Sequence, residues 1–417
     1  MVTKQTVWVE VDDEGRLVLP PESRQRYGLK PGARLRLDEG KNDFRLHLPV
    51  TFLKKVYIEP TNCCNLDCRT CMRNAWDEQL GLMTDETFSN LLTGLLDFSP
   101  QPLLFFGGLG EPLAHPRTIE WIAQAHTQGV RVEMITNGTL LLPKKSQELI
   151  DAGLDMLWVS IDGATPESYS DVRLGAELPK VIENLSYFKK IRPAGHFPHP
   201  ELGIAFVAMR RNLQDLPKVI TLGRSLGAKH FKVTNVLPYT QDMLPEMLYN
   251  RTLRNITYLP SPWLPSLSLP KFDLDETTSQ VFIEALNSGC NVELAGSNLG
   301  IANDVCTFIE SGAISISWDG AACPCPPLSH NFISYLHGVE RISRKHVIGN
   351  VNERNLKDMW LDEEYVAYRE RVHSFAFAPC TPCGGCELSQ ANEEDCFGND
   401  FPACGGCLWT QGVIQCP

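Results

Sequence analysis

No run of apolar residues in this 417-residue chain approaches the roughly 18 that a membrane-spanning helix needs. Excess positive charge is missing as well: 38 Lys and Arg stand against 50 Asp and Glu, a formal net of −12. That balance excludes a surface built overall to hold nucleic acid or an anionic membrane. There is no low-complexity tract and no internal repeat. The opening MVTKQTVWVEVDDEG carries acidic residues where an export signal needs an apolar stretch, so the expected location is the cytoplasm. Hydrophobic residues make up 43% and charged residues 21%, enough for a large core, and the length suits two or three domains.

Cysteine is present in excess. There are 15, an odd number, in a chain expected to stay in a reducing compartment. Disulfides explain that poorly, and metal or redox chemistry explains it better. Four lie at Cys63, Cys64, Cys68 and Cys71, one is alone at Cys290, and ten fall between Cys306 and Cys416. Cys290 reads as an ordinary buried thiol.

Residues 1–50 read as a small β-rich unit, in which VWVEV, RLVLP, RLRLDEG and FRLHLP are strand-like and Gly15, Gly28, Gly32 and Gly40 mark turns. From residue 55 strand and helix alternate. VYIEP, LLFFG, VRVEMIT, MLWVSID, GIAFVAM and HFKVTNV are apolar runs of strand length. The first helix should follow Thr84 as N-cap, with Asp85 and Glu86 in its first turn and Phe88, Leu91, Leu92, Leu95 and Leu96 on one face. Gly129, Gly153 and Gly227 stand where helices need a left-handed terminal residue. Six β-α units in series predict an α/β fold of parallel strands with right-handed crossovers, a doubly wound sheet or a partial barrel. The alternation stops near residue 240, short of an eight-unit barrel. Residues 241–299 read as a connector, Pro-rich at Pro260, Pro262, Pro265 and Pro270 around Trp263, and a Cys-rich domain occupies 300–417.

Cys64, Cys68 and Cys71 are spaced C-x3-C-x2-C directly after the first strand. Thiolates select zinc, copper(I) or iron–sulfur clusters. A structural zinc site wants four protein ligands, and no fourth lies at the usual spacing, since Cys63 is adjacent to Cys64 and cannot easily share the turn. Three ligands suit a [4Fe–4S] cluster with one iron left open. Every other polar or glycine-rich signature falls at a strand's carboxyl end, the side on which parallel β/α folds assemble active sites.

In this arrangement residues 55–240 resemble the radical S-adenosylmethionine (SAM) enzymes, which implies a partial (βα)6 barrel over 51–240. In that family the open iron chelates the amino and carboxylate groups of SAM. The segment Gly107-Gly108-Leu109-Gly110-Glu111-Pro112 looks like the family's glycine-rich loop, which puts Gly108, Gly110 and Glu111 beside SAM. Asn137 in Thr136-Asn137-Gly138, Ser160 and Asp162 after the fourth strand, and Arg173 complete the SAM contacts that the resemblance implies; Met209 and Asn212 close the fifth strand. Thr70 departs from the family's usual aromatic residue. No catalytic side chain is singled out.

Within the Cys-rich domain, Cys306, Gly320 and Cys325 resemble the opening of a SPASM domain, an auxiliary-cluster extension of such enzymes. The resemblance implies two auxiliary [4Fe–4S] clusters, with Cys306, Cys325, Cys380, Cys383, Cys386, Cys396, Cys407 and Cys416 as ligands and Cys323 and Cys404 spare. The late spacing departs from the usual pattern, and CTPCGGC and CGGC are also ribbon-like, which keeps a zinc ribbon as the alternative.

VDDEGRLVLPPESRQRYGLKPGARLRL resembles the SpoVT/AbrB swapped-hairpin module. This module, the CNLDCRTCMRNAW loop and the CGGCLWTQGVIQCP ending together resemble the radical SAM maturases associated with tungsten-cofactor oxidoreductases. The implied chemistry is reductive cleavage of SAM to a 5′-deoxyadenosyl radical that abstracts hydrogen. The implied partners are a tungsten-containing oxidoreductase and an electron donor such as ferredoxin or flavodoxin. An enzyme crosslinking a ribosomally made peptide would share every motif, and a non-catalytic DNA-binding regulator would leave the six-unit core unexplained.

A swapped hairpin hides its strand edges against a second copy, so a homodimer through residues 1–50 is expected. DNA binding is not: nine Lys and Arg stand against eight Asp and Glu in that unit. Light scattering should find a dimer for the full chain and a monomer after removal of residues 1–50. A full chain that is monomeric, or one that binds DNA tightly with a steep salt dependence, overturns this expectation.

Overall fold

The computed structural model describes residues 7–39, 44–193, 199–254, 271–273, 275–294, 306–383 and 386–416. The prolines expected in the connector, Pro260, Pro262, Pro265 and Pro270, lie outside these residues with Trp263.

The N-terminal unit is two small antiparallel pairs. Strand β1 (Glu10–Val11) pairs with β2 (Leu17–Val18) across a turn at Gly15, where φ is +79°. Helix α1 (Pro21–Arg26) follows, then β3 (Leu37–Glu39) paired with β4 (Phe44–Leu46). All four strand-like runs therefore contribute, but each for only two or three residues.

The six apolar runs are six parallel strands in chain order: β5 (Lys55–Ile58), β6 (Leu103–Phe106), β7 (Val132–Thr136), β8 (Met156–Ser160), β9 (Glu201–Ala208) and β10 (His230–Asn235). Their pleat sends alternate side chains to opposite faces. Val56, Ile58, Leu104, Phe106, Val132 and Met134 pack into the helix-covered core, while Tyr57, Phe105, Ile135 and Val207 face a cavity on the other side. The covering helices are α2 (Asp85–Leu96), α3 (Thr118–Thr127), α4 (Pro143–Asp151), α5 (Pro166–Val172), α6 (Leu178–Ile191) and α7 (Leu216–Ser225). Thr84 caps α2 by accepting from the amide of Thr87 at 3.1 Å. Phe88, Leu91 and Leu95 are buried; Leu92 is only half-buried and Leu96 is exposed, so the buried stripe is narrower than expected. Phe88 stacks on Trp121 at 4.8 Å between centroids.

The sheet does not end at residue 240. After α8 (Asn250–Arg254) and α9 (Glu276–Leu286), strand β11 (Asn291–Leu294) pairs in parallel with β10. At the opposite edge, beyond the short helix α10 (Thr307–Glu310), β12 (Ala313–Ile316) pairs in parallel with β5. An antiparallel β13 (Ala321–Cys323) follows, giving ten strands in the order β11-β10-β9-β8-β7-β6-β5-β12-β13-β16 once β16 (Gly349–Asn350) is added. The boundaries expected at 240 and 300 thus fall between elements of one sheet. With only four residues, AISI, all buried, β12 is too short to announce itself as a strand of the core.

The remaining domain holds the hairpin β14 (Phe332–Leu336) and β15 (Val339–Ser343), then α11 (Leu356–Trp360), α12 (Glu363–His373) and α13 (Cys380–Cys383). Arg369 fastens it to the start of the core. Its guanidinium lies 3.8 Å from the Trp360 ring and 4.0 Å from that of Tyr365, while Nε donates to the carbonyl of Val50 at 2.9 Å. Trp360 Nε1 donates to the carbonyl of Thr51 at 2.8 Å. Among the described residues no helix is long and apolar enough to cross a membrane.

Candidate functional site

The loop after β5 brings Cys64, Cys68 and Cys71 within electrostatic reach of one another. Burial pushes the Cys64 thiol up and lifts Cys71 to about 11, and the neighbouring thiols add to both shifts. A metal bound here would be held by the thiolates, and its binding would release the protons of these thiols. Cys63 turns away, its amide on the Thr61 hydroxyl at 2.9 Å and its sulfur toward the carbonyl of Gly81. Three neighbouring thiols, with Cys63 turned aside, suit a cluster with one open iron.

Two donors face the sulfurs. Asn137 Nδ2 is 3.9 Å from Cys64 Sγ and 3.0 Å from Asn65 Oδ1, and Arg173 Nη1 is 3.7 Å from Cys68 Sγ. Arg173 donates to Asp162 Oδ2 at 2.6 Å, and Asp162 Oδ1 accepts from the amide of Val207 at 2.7 Å. Burial works against the Arg173 charge, and the Asp162 carboxylate outweighs it. Removing one partner of such a buried pair costs about 3–5 kcal/mol.

The glycine-rich loop packs on the cysteine loop. A Cβ at Gly110 would sit 2.0 Å from the carbonyl oxygen of Thr61, and one at Gly108, where φ is +92°, would strike Glu59. Glu111 is buried and spends both oxygens on protein: Oε1 accepts from Thr136 Oγ1 at 2.7 Å and the Leu113 amide at 3.0 Å, and Oε2 from the Asn137 amide at 2.8 Å. Its pKa is raised by burial against these three bonds. Glu111 therefore supports neighbouring strand ends. Ser160 is buried at the end of β8.

Beside this loop lies a cavity of about 260 Å³. Tyr57, Phe105, Ile135 and Val207 line it from the sheet, Thr70 and Met72 from the cysteine loop, and His330 and Trp409 from the Cys-rich domain. The missing aromatic at position 70 leaves a small hydroxyl facing this space. Sequence reasoning missed the charged group at its rim. His330 Nε2 lies 2.9 Å from Glu59 Oε2, and Nδ1 bonds Glu78, whose other oxygen accepts the Asn331 amide at 2.7 Å. No spacing signal joins three residues so far apart, although Glu59 does close the first strand run.

The late cysteines fall into two groups. Cys306, Cys325, Cys404 and Cys407 line one small cavity of about 50 Å³, walled otherwise by residues such as Phe308, Leu328 and Phe332. Burial drives the Cys306 thiol to about 12 and Cys325 well above its usual range, with the other thiols adding. Cys380 is raised by burial, and Cys386 and Cys396 are close enough to add to that shift. Cys383 lies one helical turn from Cys380 on α13. Arg341 is buried among Cys407, Cys380 and Cys404. Cys416, expected with these ligands, lines the larger cavity, and Lys232 Nζ donates to its carbonyl at 3.2 Å. Cys325 lines the small cavity, and Cys323 is not among its lining residues.

Burial works to discharge His330, but Glu59 and Glu78 outweigh it and lift its pKa to about 9. A histidine raised in the folded chain contributes its full stability below its unfolded value, near 6.5, and loses it as pH rises toward about 9. Anaerobic urea unfolding should therefore show wild type losing more stability than His330→Gln over that window. Parallel losses would show that the carboxylates do not hold the charge.

Comparison with known proteins matches residues 58–199 to the radical SAM superfamily and residues 306–387 to SPASM, an iron–sulfur cluster-binding domain. The chain is 28% identical over 369 residues to the tungsten-containing aldehyde ferredoxin oxidoreductase cofactor-modifying protein of Pyrococcus furiosus, covering 88% of this chain and 97% of that one. It is 31% identical to the AdoMet-dependent heme synthase of Methanosarcina barkeri over 43% of this chain and 50% of that one. Among solved structures, SuiB of Streptococcus suis bound to S-adenosylmethionine has the same fold with a TM-score of 0.56 at 14% identity, covering 81% of this chain and 71% of that one. For anSMEcpe with bound AdoMet the TM-score is 0.53 at 17% identity, covering 86% and 95%. The α/β core takes a [4Fe–4S] cluster and SAM, and the cysteine-lined tail takes auxiliary iron–sulfur clusters. The chain is an enzyme of the radical SAM superfamily, carrying a SPASM domain after its core.

Proposed function

We propose that this enzyme modifies or matures a tungsten-cofactor oxidoreductase, acting on the protein or on its cofactor. The observation that carries the reading is end-to-end similarity to the cofactor-modifying protein of Pyrococcus furiosus, which extends through both the core and the Cys-rich domain. The heme synthase relative aligns over only about half its own length.

Cys64, Cys68 and Cys71 would hold the first cluster. When bound, cluster and SAM together supply one-electron cleavage of SAM to a 5′-deoxyadenosyl radical, which takes a hydrogen atom from the substrate. The chain's own residues prepare the ground for that chemistry. Gly108 and Gly110 let the second loop approach the first, and Asn137, Ser160, Asp162 and Arg173 offer polar groups for SAM. Tyr57, Phe105 and Trp409 wall the neighbouring cavity and exclude water from a reactive intermediate. Cys306, Cys325, Cys404 and Cys407 would hold one auxiliary cluster, and Cys380, Cys383, Cys386 and Cys396 the other. A ferredoxin or flavodoxin would supply electrons in the cytoplasm, a compartment that suits fifteen unpaired cysteines. A second copy would cover the exposed Trp8, Val11, Leu17 and Phe44 of the N-terminal unit, and nucleic acid has no part in the reading.

The test is anaerobic incubation of the reconstituted enzyme with SAM, dithionite and the candidate oxidoreductase, followed by mass spectrometry of protein and cofactor. The expected result is 5′-deoxyadenosine together with a mass change or gain of activity in the oxidoreductase. Cys64→Ala, Cys68→Ala and Cys71→Ala should each form no 5′-deoxyadenosine. SAM cleavage with an unchanged oxidoreductase, and a mass change in a short peptide instead, would favour peptide crosslinking.

Ligand assignment has its own measurement. Fully loaded protein should hold about twelve iron atoms, falling toward about eight in Cys404→Ala and unchanged in Cys416→Ala. The reverse pattern returns Cys416 to the ligand set.

A further inference from the structure

Three side chains from separate parts of the chain meet where the N-terminal unit touches the Cys-rich domain. His47 follows β4, Glu310 ends α10 and His373 ends α12. His47 Nδ1 is 2.9 Å from Glu310 Oε1, and His373 Nε2 is 2.9 Å from Glu310 Oε2. One ligand atom from each lies within 4.8 Å of the other two. The two imidazole rings are edge to face at 5.1 Å.

We propose that His47, Glu310 and His373 form a binding site for a divalent transition-metal ion of the zinc type, which fastens the N-terminal unit to the cluster domain. Two imidazole nitrogens and one carboxylate oxygen are a donor set for zinc, leaving the fourth position to water. It is a harder set than the thiolates of the cluster sites, so the two kinds of site select different metals. The residues behind the ligands point the same way. A metal-bound histidine commonly donates its other ring N–H to a carboxylate, which fixes the tautomer and aims the ligating nitrogen. His47 Nε2 lies 2.7 Å from Asp38 Oδ2, and Arg36 steadies that carboxylate with Nε 2.7 Å from Oδ1 and Nη2 3.0 Å from Oδ2.

Hydrogen bonding alone satisfies this arrangement only when His47 carries a proton on both ring nitrogens. A neutral imidazole has one N–H and one lone pair. Both ring nitrogens of His47 face carboxylate oxygens, so one pairing would set a lone pair against an acceptor. A cation between Nδ1 and Glu310 turns that contact into two bonds. The electrostatics agree, because Asp38 and Glu310 against Arg36 leave the group net negative with neutral imidazoles. The His47 side chain is 3% exposed, that of His373 9% and that of Glu310 21%, so the ligands are pre-placed while an edge stays open to water. Because the ligands come from both units, the ion binds only when they are docked, and its binding free energy stabilises the docked state.

The test uses the anaerobically reconstituted, iron-loaded full chain, equilibrated with Zn2+ and freed of loose metal. Elemental analysis should find one zinc per chain at unchanged iron, and zinc should slow amide exchange in residues 36–39 and 44–47 and at the end of α12. Glu310→Gln and His373→Gln should lose that zinc while keeping their iron. Asp38→Asn retains all three ligands and should bind zinc about tenfold to a hundredfold more weakly, as measured by competition with a chromophoric chelator. Should the ligand variants fold poorly, the wild-type zinc content and Asp38→Asn still decide the matter. A wild type that holds no zinc overturns the proposal, as does zinc that displaces iron or persists in His373→Gln.

Discussion

One buried carboxylate ties the site together. Glu111 receives hydrogen bonds from Thr136, Asn137 and Leu113, and its own amide donates to the carbonyl of Cys63 at 2.9 Å. The cysteine loop, the glycine-rich loop and the end of β7 are thereby held in one register. Burial opposes a charge at this position, and bonds to a carboxylate, each worth about 1.5–3 kcal/mol, offset that cost. The glycines belong to the same constraint. Only a residue without Cβ fits between Thr61 and Cys63 at position 110, so the two loops touch backbone to backbone. Asn137, aligned by this clamp, reaches both Asn65 and the Cys64 sulfur.

The core and the Cys-rich domain are coupled through the sheet itself. β5 delivers the cysteine loop and also pairs with β12, which leads through β13 to Cys325. On the cavity side, His330 of the Cys-rich domain bonds Glu59 at the end of β5, and Glu59 accepts the amide of Leu109 at 2.8 Å. The space beside the first three cysteines is therefore shaped by both domains at once.

Much of this was legible in the sequence because it is local. Periodic apolar runs marked the six parallel strands, Thr84 marked the start of α2, and the spacing of Cys64, Cys68 and Cys71 marked a metal site. Features built by distant return of the chain were not legible. β12 is a four-residue strand, AISI, beside a stretch whose main sequence signal is its cysteine spacing. That Cys404 and Cys407 share a cavity with Cys306, while the carbonyl of Cys416 accepts from Lys232, depends on how the tail folds back and has no spacing signal. The motif around Glu111 does not announce that its oxygens accept from Thr136, Asn137 and Leu113. The triad of Glu59, Glu78 and His330 has members in three segments, and no pattern in the sequence links them.

The pairing of β12 with β5 also sets an order of assembly during synthesis. Lys55 leaves the ribosome long before Ala313, its partner across the ladder. Until then the β5 edge presents unpaired backbone groups, a template for wrong pairing. The nascent core carries its cysteine loop on that unfinished edge strand, and its cavity still lacks His330 and Trp409. Contacts of such long sequence separation form late, because loop closure must be met before they repay it. The chain therefore acquires an enclosed cavity only once His330 and Trp409 have been made, so a radical-generating site is not sealed before the segments that complete its walls have emerged.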